Sequence, residues 1–349
     1  MTDSLPLAPL DPLLKDPTVL EIMVNGPGSV YVDRGGHITQ EQGTFDDAQS
    51  ITDVVQFIAE SFGRHLDESH PILDVRFDDG SRMHIVMPPI SPNGPSFVIR
   101  KVMHQRKTLD ELVELNALTP TMATFLAAAA RGPVSMVVAG GSGSGKTTML
   151  EAIIQHIPLR ERLLLIDSTF DVQVDHHNVT RLEARPPNTD GQGGISPTDL
   201  VISALKMRPD RIILNEIRGG EALHFLQALN TGHDGSMFCI HAANPQDVMA
   251  RFETLCIMEN PAIPVRSIRQ QMGTAFALIV MMRMGFDGVR RVTRISEVTG
   301  TQGDIITMQD IFVHEQESGF KATGVLPTFL PRLHAMGITR SPELFAPEG

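Results

Sequence analysis

The sequence predicts two domains in tandem, a small α+β domain followed by a larger α/β domain on a mostly parallel sheet. Short alternating segments separated by turn residues fill the N-terminal part, whereas apolar strands alternate with helices after Gly132-Pro133. The chain has 349 residues, 42% apolar and 20% charged, so it can bury two cores of ordinary size. We place the first domain at residues 1–101, a linker at 102–110 and the second domain at 111–349.

The first domain is predicted from two hairpins and one helix. EIMVNG and SVYVD flank a Gly-Pro-Gly turn, and ILDVRF and RMHIVM flank Asp79-Gly80. Between the two pairs, apolar residues recur at the spacing of a helix from Ile51 to Phe62. The domain closes with the strand-like SFVIRK, and the polar stretch after it has no apolar period, which indicates the linker.

The second domain begins with two predicted helices, around Leu109–Leu115 and Thr121–Ala130. A strand is expected at Ser135–Ala139, and the strand and helix alternation follows from there. We expect the tail from Gly319 onward to be a loop with one short helix.

Composition limits the possible partners and the compartment. A formal charge of −12 argues against a nucleic acid partner, because neutralising a phosphate backbone needs clustered Lys and Arg. Two cysteines cannot supply a disulfide framework or a four-thiolate zinc site. The longest apolar runs fall short of the roughly 18 to 20 residues of a membrane span, and the start lacks a basic region. We therefore expect a cytosolic protein that is neither exported nor membrane-spanning.

One segment carries a phosphate-binding motif. It is the run VSMVVAGGSGSGKTTMLEAIIQHI, in which a predicted strand is followed by a glycine, four residues, Gly-Lys-Thr and a predicted helix. The alternative, a glycine-rich turn that matches by chance, would not need a strand before it and a helix after it. Backbone N–H groups of such a loop surround the β-phosphate, Lys146 reaches the β and γ oxygens, and the Thr147 hydroxyl can ligate Mg²⁺. The predicted ligands are ATP and Mg²⁺. The predicted nucleotide-binding residues are Gly140, Gly141, Ser142, Gly143, Ser144, Gly145, Lys146, Thr147 and Thr148.

Two carboxylates follow predicted strands of this domain. RIILNEIRGGEA places Glu216 after one strand, and RLLLIDSTFD places Asp167 at the end of another. A nucleotide hydrolase needs such an acid to hold the magnesium shell and orient water. We predict both as catalytic and Glu216 also as a metal ligand with Thr147, although a solvated acid at a strand end is the alternative for each.

Histidines flank another short strand. In TGHDGSMFCIHAAN, His233 and His241 lie on either side of it, where an imidazole could sense the γ-phosphate. We predict both as catalytic. His176, His177 and His224 are expected to be structural, and no metal-ligand spacing joins the histidines of this chain.

From Leu10 to Phe345 the sequence resembles the ATPases of type II and type IV secretion systems and pili, and within them the CpaF-type motor of tight-adherence pili. The resemblance rests on the phosphate-binding motif together with these segments: LDPLLKDPTVLEIMVNGPGSVYVD, GSRMHIVMPPIS, VIRK, RLEARPPN, ALKMRPDRIILNEIRGGEALHFLQALNTGHDGSMFCIHAANP and RISEVTGTQGDIITMQDIF. The zinc-binding four-cysteine module of type II motors is absent from the sequence, which favours the CpaF branch.

The resemblance implies a PAS-like N-terminal domain, a RecA-like motor domain and a homo-hexameric ring. The ring would hold ATP between the two domains and act on an inner-membrane platform protein from the cytoplasmic face, peripheral to the membrane. By position, Gly140–Thr148 is the Walker A box, Glu216 the Walker B acid, Asp167 the acidic box, and His233 and His241 the histidine box. Arg82 and Arg100 match N-domain arginines expected to reach the phosphates, or they form surface salt bridges instead. We also predict that Arg218 binds nucleotide.

The sequence departs from the family in two places near the site. Where relatives read Ile-Glu-Asp-x-x-Glu-Leu, this chain has Ile166 to Val172 as IDSTFDV, so the first acid is shorter by one methylene. A shift on the order of 1 Å could cost roughly a hundredfold in rate, so we expect weak turnover unless Asp171 or Glu216 compensates. Asn215 stands at a position where the family usually has Gly, and this difference affects the backbone geometry expected there.

The leading functional hypothesis is a mechanoenzyme in which ATP hydrolysis drives a ring that assembles or retracts a filament. A nucleic-acid motor of the RecA or conjugation type is the competitor, disfavoured by net acidity and few aromatics for base stacking. A third hypothesis is a nucleotide-gated scaffold that scarcely hydrolyses ATP. A small-molecule kinase is the weakest, because no acceptor site or basic lid is evident.

Overall fold

The chain divides into two compact units, Met1–Gln105 and Arg106–Gly349. The computed structural model describes residues 8–42, 45, 47–77, 79–101, 107–167, 172–185, 192–315, 318–338 and 342–346. The division falls inside the segment that we assigned to the linker, of which residues 102–106 lie outside the described part. The first helix of the second unit begins at Leu109, so the last two residues of that segment are helical.

The first unit is a six-stranded antiparallel sheet with one long helix. A short 3₁₀ turn precedes the elements, which are α1 (Asp11–Lys15), β1 (Glu21–Val24), β2 (Val30–Arg34), β3 (His37–Glu41), α2 (Ala48–Ser61), β4 (Ile72–Arg76), β5 (Arg82–Val86) and β6 (Ser96–Arg100). The strand order is β3-β2-β1-β6-β5-β4. The Asp47 side chain caps α2 by accepting from the Ser50 N–H at 2.7 Å, and the buried face of α2 packs on the sheet.

The second unit is larger and alternates helices with strands. Its helices are α3 (Leu109–Glu114), α4 (Pro120–Arg131), α5 (Lys146–Ile154), α6 (Pro197–Leu205), α7 (Glu221–Leu229), α8 (Pro245–Glu259), α9 (Val265–Ala275) and α10 (Leu330–Ala335). Its strands are β7 (Met136–Gly140), β8 (Leu163–Asp167), β9 (Val179–Glu183), β10 (Arg211–Leu214), β11 (Met237–Ile240), β12 (Leu278–Met284), β13 (Arg290–Gln302), β14 (Ile305–Glu315) and β15 (Gly319–Ala322). None of the described helices in either unit could cross a membrane, being too short or too polar.

The strand order of the second unit fixes where the site lies. The order is β15-β14-β13-β12-β7-β11-β10-β8-β9, with parallel pairing from β12 to β9 and antiparallel pairing from β12 to β15. Apolar clusters cover both faces, with α4 and α5 on one side and α6 to α9 on the other. Because parallel strands end at the same edge, the residues that follow β7, β8, β10 and β11 meet there.

The C-terminal part differs from the prediction of a loop and one short helix. β15 precedes α10 and pairs with β14 at the edge of the sheet, and a 3₁₀ turn follows at Pro342–Phe345. A four-residue edge strand has little local pattern, and its pairing partner supplies the hydrogen bonds that define it.

Candidate functional site

The phosphate-binding loop connects β7 to α5 and is packed tightly against β12. A Cβ atom on Gly140 would lie 2.3 Å from the Met282 carbonyl oxygen, so only glycine allows this approach. Gly145, immediately before the helix, has a φ of +91°, a conformation that favours glycine. Arg290 at the start of β13 donates from Nε to the Gly143 carbonyl at 2.8 Å and so connects the loop to the antiparallel part of the sheet.

The Lys146 side chain lies inside the loop. Its ammonium donates to the Gly141 carbonyl at 2.8 Å and lies 3.4 Å from Nδ1 of His241. Burial lowers the pKa of Lys146, and the nearby carboxylate of Glu216 acts in the opposite direction. Ser144 closes the loop by donating from Oγ to the same Gly141 carbonyl at 2.8 Å.

The remaining hydroxyl groups differ in their surroundings. Ser142 is exposed at the tip of the loop, and Thr148 is half-buried in the first turn of α5. The Thr147 hydroxyl donates to Oδ1 of Asn215 at 3.3 Å. Thr147 is therefore oriented by a residue from the segment after β10.

Asp167 lies at the end of β8 and is 3% exposed. Its Oδ1 accepts from Nδ2 of Asn215 at 3.0 Å, and its Oδ2 accepts from the backbone N–H of Val172 at 3.1 Å. Asp171, named above as a possible substitute for this acid, lies outside the described residues. Asp167 is thus joined to Thr147 through the Asn215 amide.

Glu216 is in contact with one imidazole and one guanidinium. Its Oε1 lies 2.6 Å from Nε2 of His241, and its Oε2 lies 2.5 Å from Nη2 of Arg218. The Oε1 atom is buried and has no hydrogen-bond partner, so the approach of His241 is a close contact without hydrogen-bond geometry. Burial and the adjacent Lys146 lower the pKa of His241, so the imidazole is neutral at pH 7.

A cavity of about 200 Å³ opens beside these groups. It is lined by Glu216, Ile217, Arg218, Ile240, His241, Arg251 and Leu255. Arg251 was not predicted as a site residue, because its contribution depends on how α8 packs beside β11. The only sequence signal for it is its position on the helix that follows His241.

His233 does not join this site within the chain. It precedes β11, whereas His241 follows it, and its Nδ1 lies 3.0 Å from the Ala228 carbonyl. The strand between them has four residues, about 13 Å at roughly 3.3 Å per residue. His233 therefore lies near the beginning of β7, at the edge of the sheet opposite to the phosphate-binding loop.

Arg82 and Arg100 belong to the first unit and are neighbours within it. They lie directly opposite each other on β5 and β6, and Arg76 on β4 is opposite Arg82. Arg100 Nε is 3.4 Å from Oε1 of Glu21, and its side chain is largely exposed. The sheet of the first unit thus places three guanidinium groups in one row.

Comparisons with known proteins bear on the family and on the fold of the chain. Residues 3–301 match the model of the family described as type II/IV secretion system protein. A putative conjugal transfer protein of Mycobacterium tuberculosis is 30% identical over 302 residues, with 85% of each chain covered. The type IV secretion system protein PtlH of Bordetella pertussis is 31% identical over 319 residues, covering 83% of this chain and 93% of PtlH.

A solved structure of the pilus retraction motor PilT with bound ADP is similar over 98% of this chain and 92% of that one, with a TM-score of 0.60 and 15% identity. At that identity the likeness concerns the fold, and it confirms the prediction of an N-terminal sheet domain followed by a larger α/β domain. The family match extends over most of the sequence and agrees with the resemblance to secretion and pilus ATPases, whereas the CpaF branch stays a prediction. The chain belongs to the type II/IV secretion system protein family, the family of secretion and pilus ATPases.

Proposed function

We propose that this chain is an ATP-hydrolysing motor, and that it powers assembly or retraction of a pilus or a secretion system. The observation that carries the proposal is the convergence of Lys146, Thr147, Asp167, Glu216 and His241 at one edge of the sheet. His241 lies 3.4 Å from Lys146 and 2.6 Å from Glu216, and Asn215 bridges Thr147 and Asp167 by hydrogen bonds of 3.3 and 3.0 Å. Phosphate, metal and water can be bound together only where such groups meet.

The loop provides the phosphate contacts in this proposal. Its backbone N–H groups, the dipole of α5 and the Lys146 ammonium attract the β- and γ-phosphates. Lys146 exchanges its contact with the Gly141 carbonyl for phosphate oxygens, which are stronger acceptors because they are charged.

The residues at this edge fit Mg²⁺ as it is usually bound with nucleotides. No group of three or more His, Cys, Asp or Glu side chains suited to a metal ion occurs among the described residues. Mg²⁺ needs few protein ligands, since phosphate oxygens and waters complete its shell. The Thr147 hydroxyl and the Glu216 carboxylate are the donors that we assign to it. Bound there, it would neutralise charge that develops on the phosphates.

Glu216 and His241 act on the attacking water in this proposal. Glu216 has a buried carboxylate oxygen without a hydrogen-bonding partner, which can accept a proton or orient a water molecule. The neutral His241 lies between Glu216 and Lys146, so it can respond to the presence of a γ-phosphate. Arg218 now pairs with Glu216 and could turn toward nucleotide.

The finer assignments belong to this proposal as well. We propose a homo-hexamer of the CpaF type at the cytoplasmic face of the inner membrane, acting on a platform protein there. Within it, Arg82 and Arg100 of the first unit would reach the phosphates. Relatives include a protein whose name refers to conjugal transfer, so a nucleic-acid motor is the second candidate. The formal charge of −12 disfavours it.

Steady-state ATP hydrolysis tests the proposal, with light scattering in the same samples. We expect slow hydrolysis from a species near six subunits, abolished in Lys146→Ala and in Glu216→Gln. Glu114→Gln, which changes an exposed carboxylate on α3, is the matched control and should retain the wild-type rate.

Tight ATP binding without hydrolysis above the level of Lys146→Ala would contradict the motor and favour the nucleotide-gated scaffold. Stimulation of hydrolysis by DNA would favour the nucleic-acid motor.

A further inference from the structure

We infer that Asn215 is a positioning residue for the Mg²⁺ ligand Thr147, and that with Asp167 it forms a relay that sets the affinity for Mg²⁺-bound nucleotide. The inference rests on the proposed function, since it concerns the metal ion that accompanies ATP. Asn215 is 5% exposed and follows β10, one residue before Glu216.

The backbone at Asn215 does not explain why asparagine is present. Among the described non-glycine residues only Asn116 and Arg208 have positive φ, so Asn215 adopts an ordinary conformation. Its N–H donates to the Ile166 carbonyl at 3.1 Å, which continues the pairing of β10 with β8. The Asn215 side chain therefore projects from a backbone of ordinary conformation just after β10.

Two side-chain hydrogen bonds of Asn215 run from Thr147 toward Asp167, which accepts from both of its neighbours. The Val172 N–H donates to Asp167, and Asp167 accepts from the Asn215 amide nitrogen. This orientation leaves Oδ1 of Asn215 as the acceptor for the Thr147 hydroxyl proton. The amide group of Asn215 could point either its nitrogen or its oxygen toward Asp167. A carboxylate only accepts hydrogen bonds, so Asp167 selects the orientation with the nitrogen toward it.

This direction matters for a metal ion. A hydroxyl that coordinates Mg²⁺ uses an oxygen lone pair and has to donate its proton elsewhere. The amide oxygen of Asn215 accepts this hydrogen bond, so the lone pairs of the Thr147 oxygen remain available to the metal. Outer groups of this kind commonly tune metal affinity by holding the ligand in one orientation.

The relay of Asn215 and Asp167 also explains why the two departures from the family pattern occur together. By the family pattern that the sequence resembles, Asp167 stands in place of a Glu and Asn215 in place of the usual Gly. The aspartate is shorter by one C–C bond, about 1.5 Å. The Asn215 side chain spans the space between Asp167 and Thr147 with two hydrogen bonds, of 3.0 and 3.3 Å. The shorter Asp167 thus leaves a space that the Asn215 side chain occupies.

Calorimetric titration with a non-hydrolysable ATP analogue, in excess Mg²⁺ and again in EDTA, tests the inference on the full chain. We expect Asn215→Ala to raise the Kd about tenfold in Mg²⁺, which corresponds to about 1.4 kcal/mol. In EDTA the Kd should stay within about twofold of wild type, because the loop contacts remain. That second value also reports whether the variant is folded.

Two double variants, each compared with its single variant, separate positioning from packing. In a Thr147→Val background, Asn215→Ala should have no additional Mg²⁺-dependent effect, because the hydroxyl that it orients is gone. The exchange Asp167→Glu with Asn215→Gly should recover most of the affinity that Asn215→Gly alone loses.

Several results would overturn the inference. One is an equal loss for Asn215→Ala in Mg²⁺ and in EDTA, and another is an unchanged Kd in Mg²⁺. A double exchange that binds no better than Asn215→Gly would also contradict it. If the wild-type chain bound the analogue in neither condition, the proposed function itself would fail, which is a distinct outcome.

Discussion

At the scale of single residues, Arg211 is the clearest case of a buried charge. It is 1% exposed at the start of β10, and its Nε lies 2.5 Å from Oε2 of Glu161. Its Nη1 donates to the Gly235 carbonyl at 3.3 Å. A Cβ on Gly235 would lie 2.7 Å from that nitrogen, so glycine provides the space. The guanidinium is compensated mainly by one carboxylate.

Removing that carboxylate should destabilise the protein. Glu161→Ala leaves the Arg211 charge buried without its counter-ion, and we expect a loss of roughly 2 to 3 kcal/mol in the free energy of unfolding, since Glu161 is itself partly exposed. Denaturant titration measures it. Glu315→Ala, which breaks the exposed pair with Lys321, is the control and should cost at most about 1 kcal/mol. Equal losses in both variants would contradict the argument.

Much of the site could be predicted from residue types at strand ends. Lys146, Glu216 and His241 meet because each follows a parallel strand, and that rule needs no coordinates. The bridging role of Asn215 could not be predicted, because it depends on distances between two strands that are separate in sequence. The sequence places His233 and His241 on either side of one short strand, and the length of that strand separates the two side chains.

At the scale of elements, the hairpin of β12 and β13 supports the phosphate-binding loop. Its turn is held by Asp287, which pairs with Arg291 through two short contacts. The next residue along β13 toward the turn is Arg290, whose Nε donates to the Gly143 carbonyl. Its Cδ also lies 3.2 Å from the position of a Cβ on Gly145. The hairpin therefore limits the conformations that the loop can adopt.

Loss of this support should weaken nucleotide binding. In Arg290→Ala the loop loses one hydrogen bond and the packing of the arginine stem, so ordering it on binding costs more free energy. We expect the Kd for ADP to rise about three- to tenfold, the equivalent of about 0.7 to 1.4 kcal/mol. Fluorescence titration with a labelled ADP measures it.

Arg294→Ala is the matched control for that measurement. Arg294 lies on the same strand, and its guanidinium pairs with Asp310. A Kd that changes equally in both variants would show that the effect comes from the strand and not from the contact with Gly143.

The predictability of the elements follows their burial. β7, β8 and β10 are buried along their whole length and read as continuous apolar runs between turn signals, so the sequence indicates them directly. β13 and β14 are long but only partly buried, and their mixed pattern gave no prediction. β13 and β14 form because each has antiparallel partners on both sides, and the residues of one segment alone do not reveal such partners.

At the scale of the whole molecule, the chain has two units that each bury an apolar core of their own. The change from hairpins to alternating strands and helices marks this division in the sequence. How the units cooperate is not encoded in any local pattern. The proposed function requires that groups from both units act on one nucleotide, and Arg82 and Arg100 are the residues of the first unit that we assign to this task.

Binding of ATP and ADP by full-length variants tests that cooperation. Each guanidinium can form charge-assisted hydrogen bonds to phosphate oxygens, and the additional γ-phosphate of ATP offers more of them than ADP does. We expect Arg82→Ala and Arg100→Ala each to raise the Kd for a non-hydrolysable ATP analogue about tenfold and that for ADP at most about twofold. Arg64→Ala removes an exposed arginine outside the strands of the first unit and should change neither value. Equal effects of all three substitutions would mean that the first unit contributes only net charge. Unchanged affinities in Arg82→Ala and Arg100→Ala would mean that nucleotide is bound by the second unit alone, and the first unit would then have to serve another purpose, such as contact between subunits.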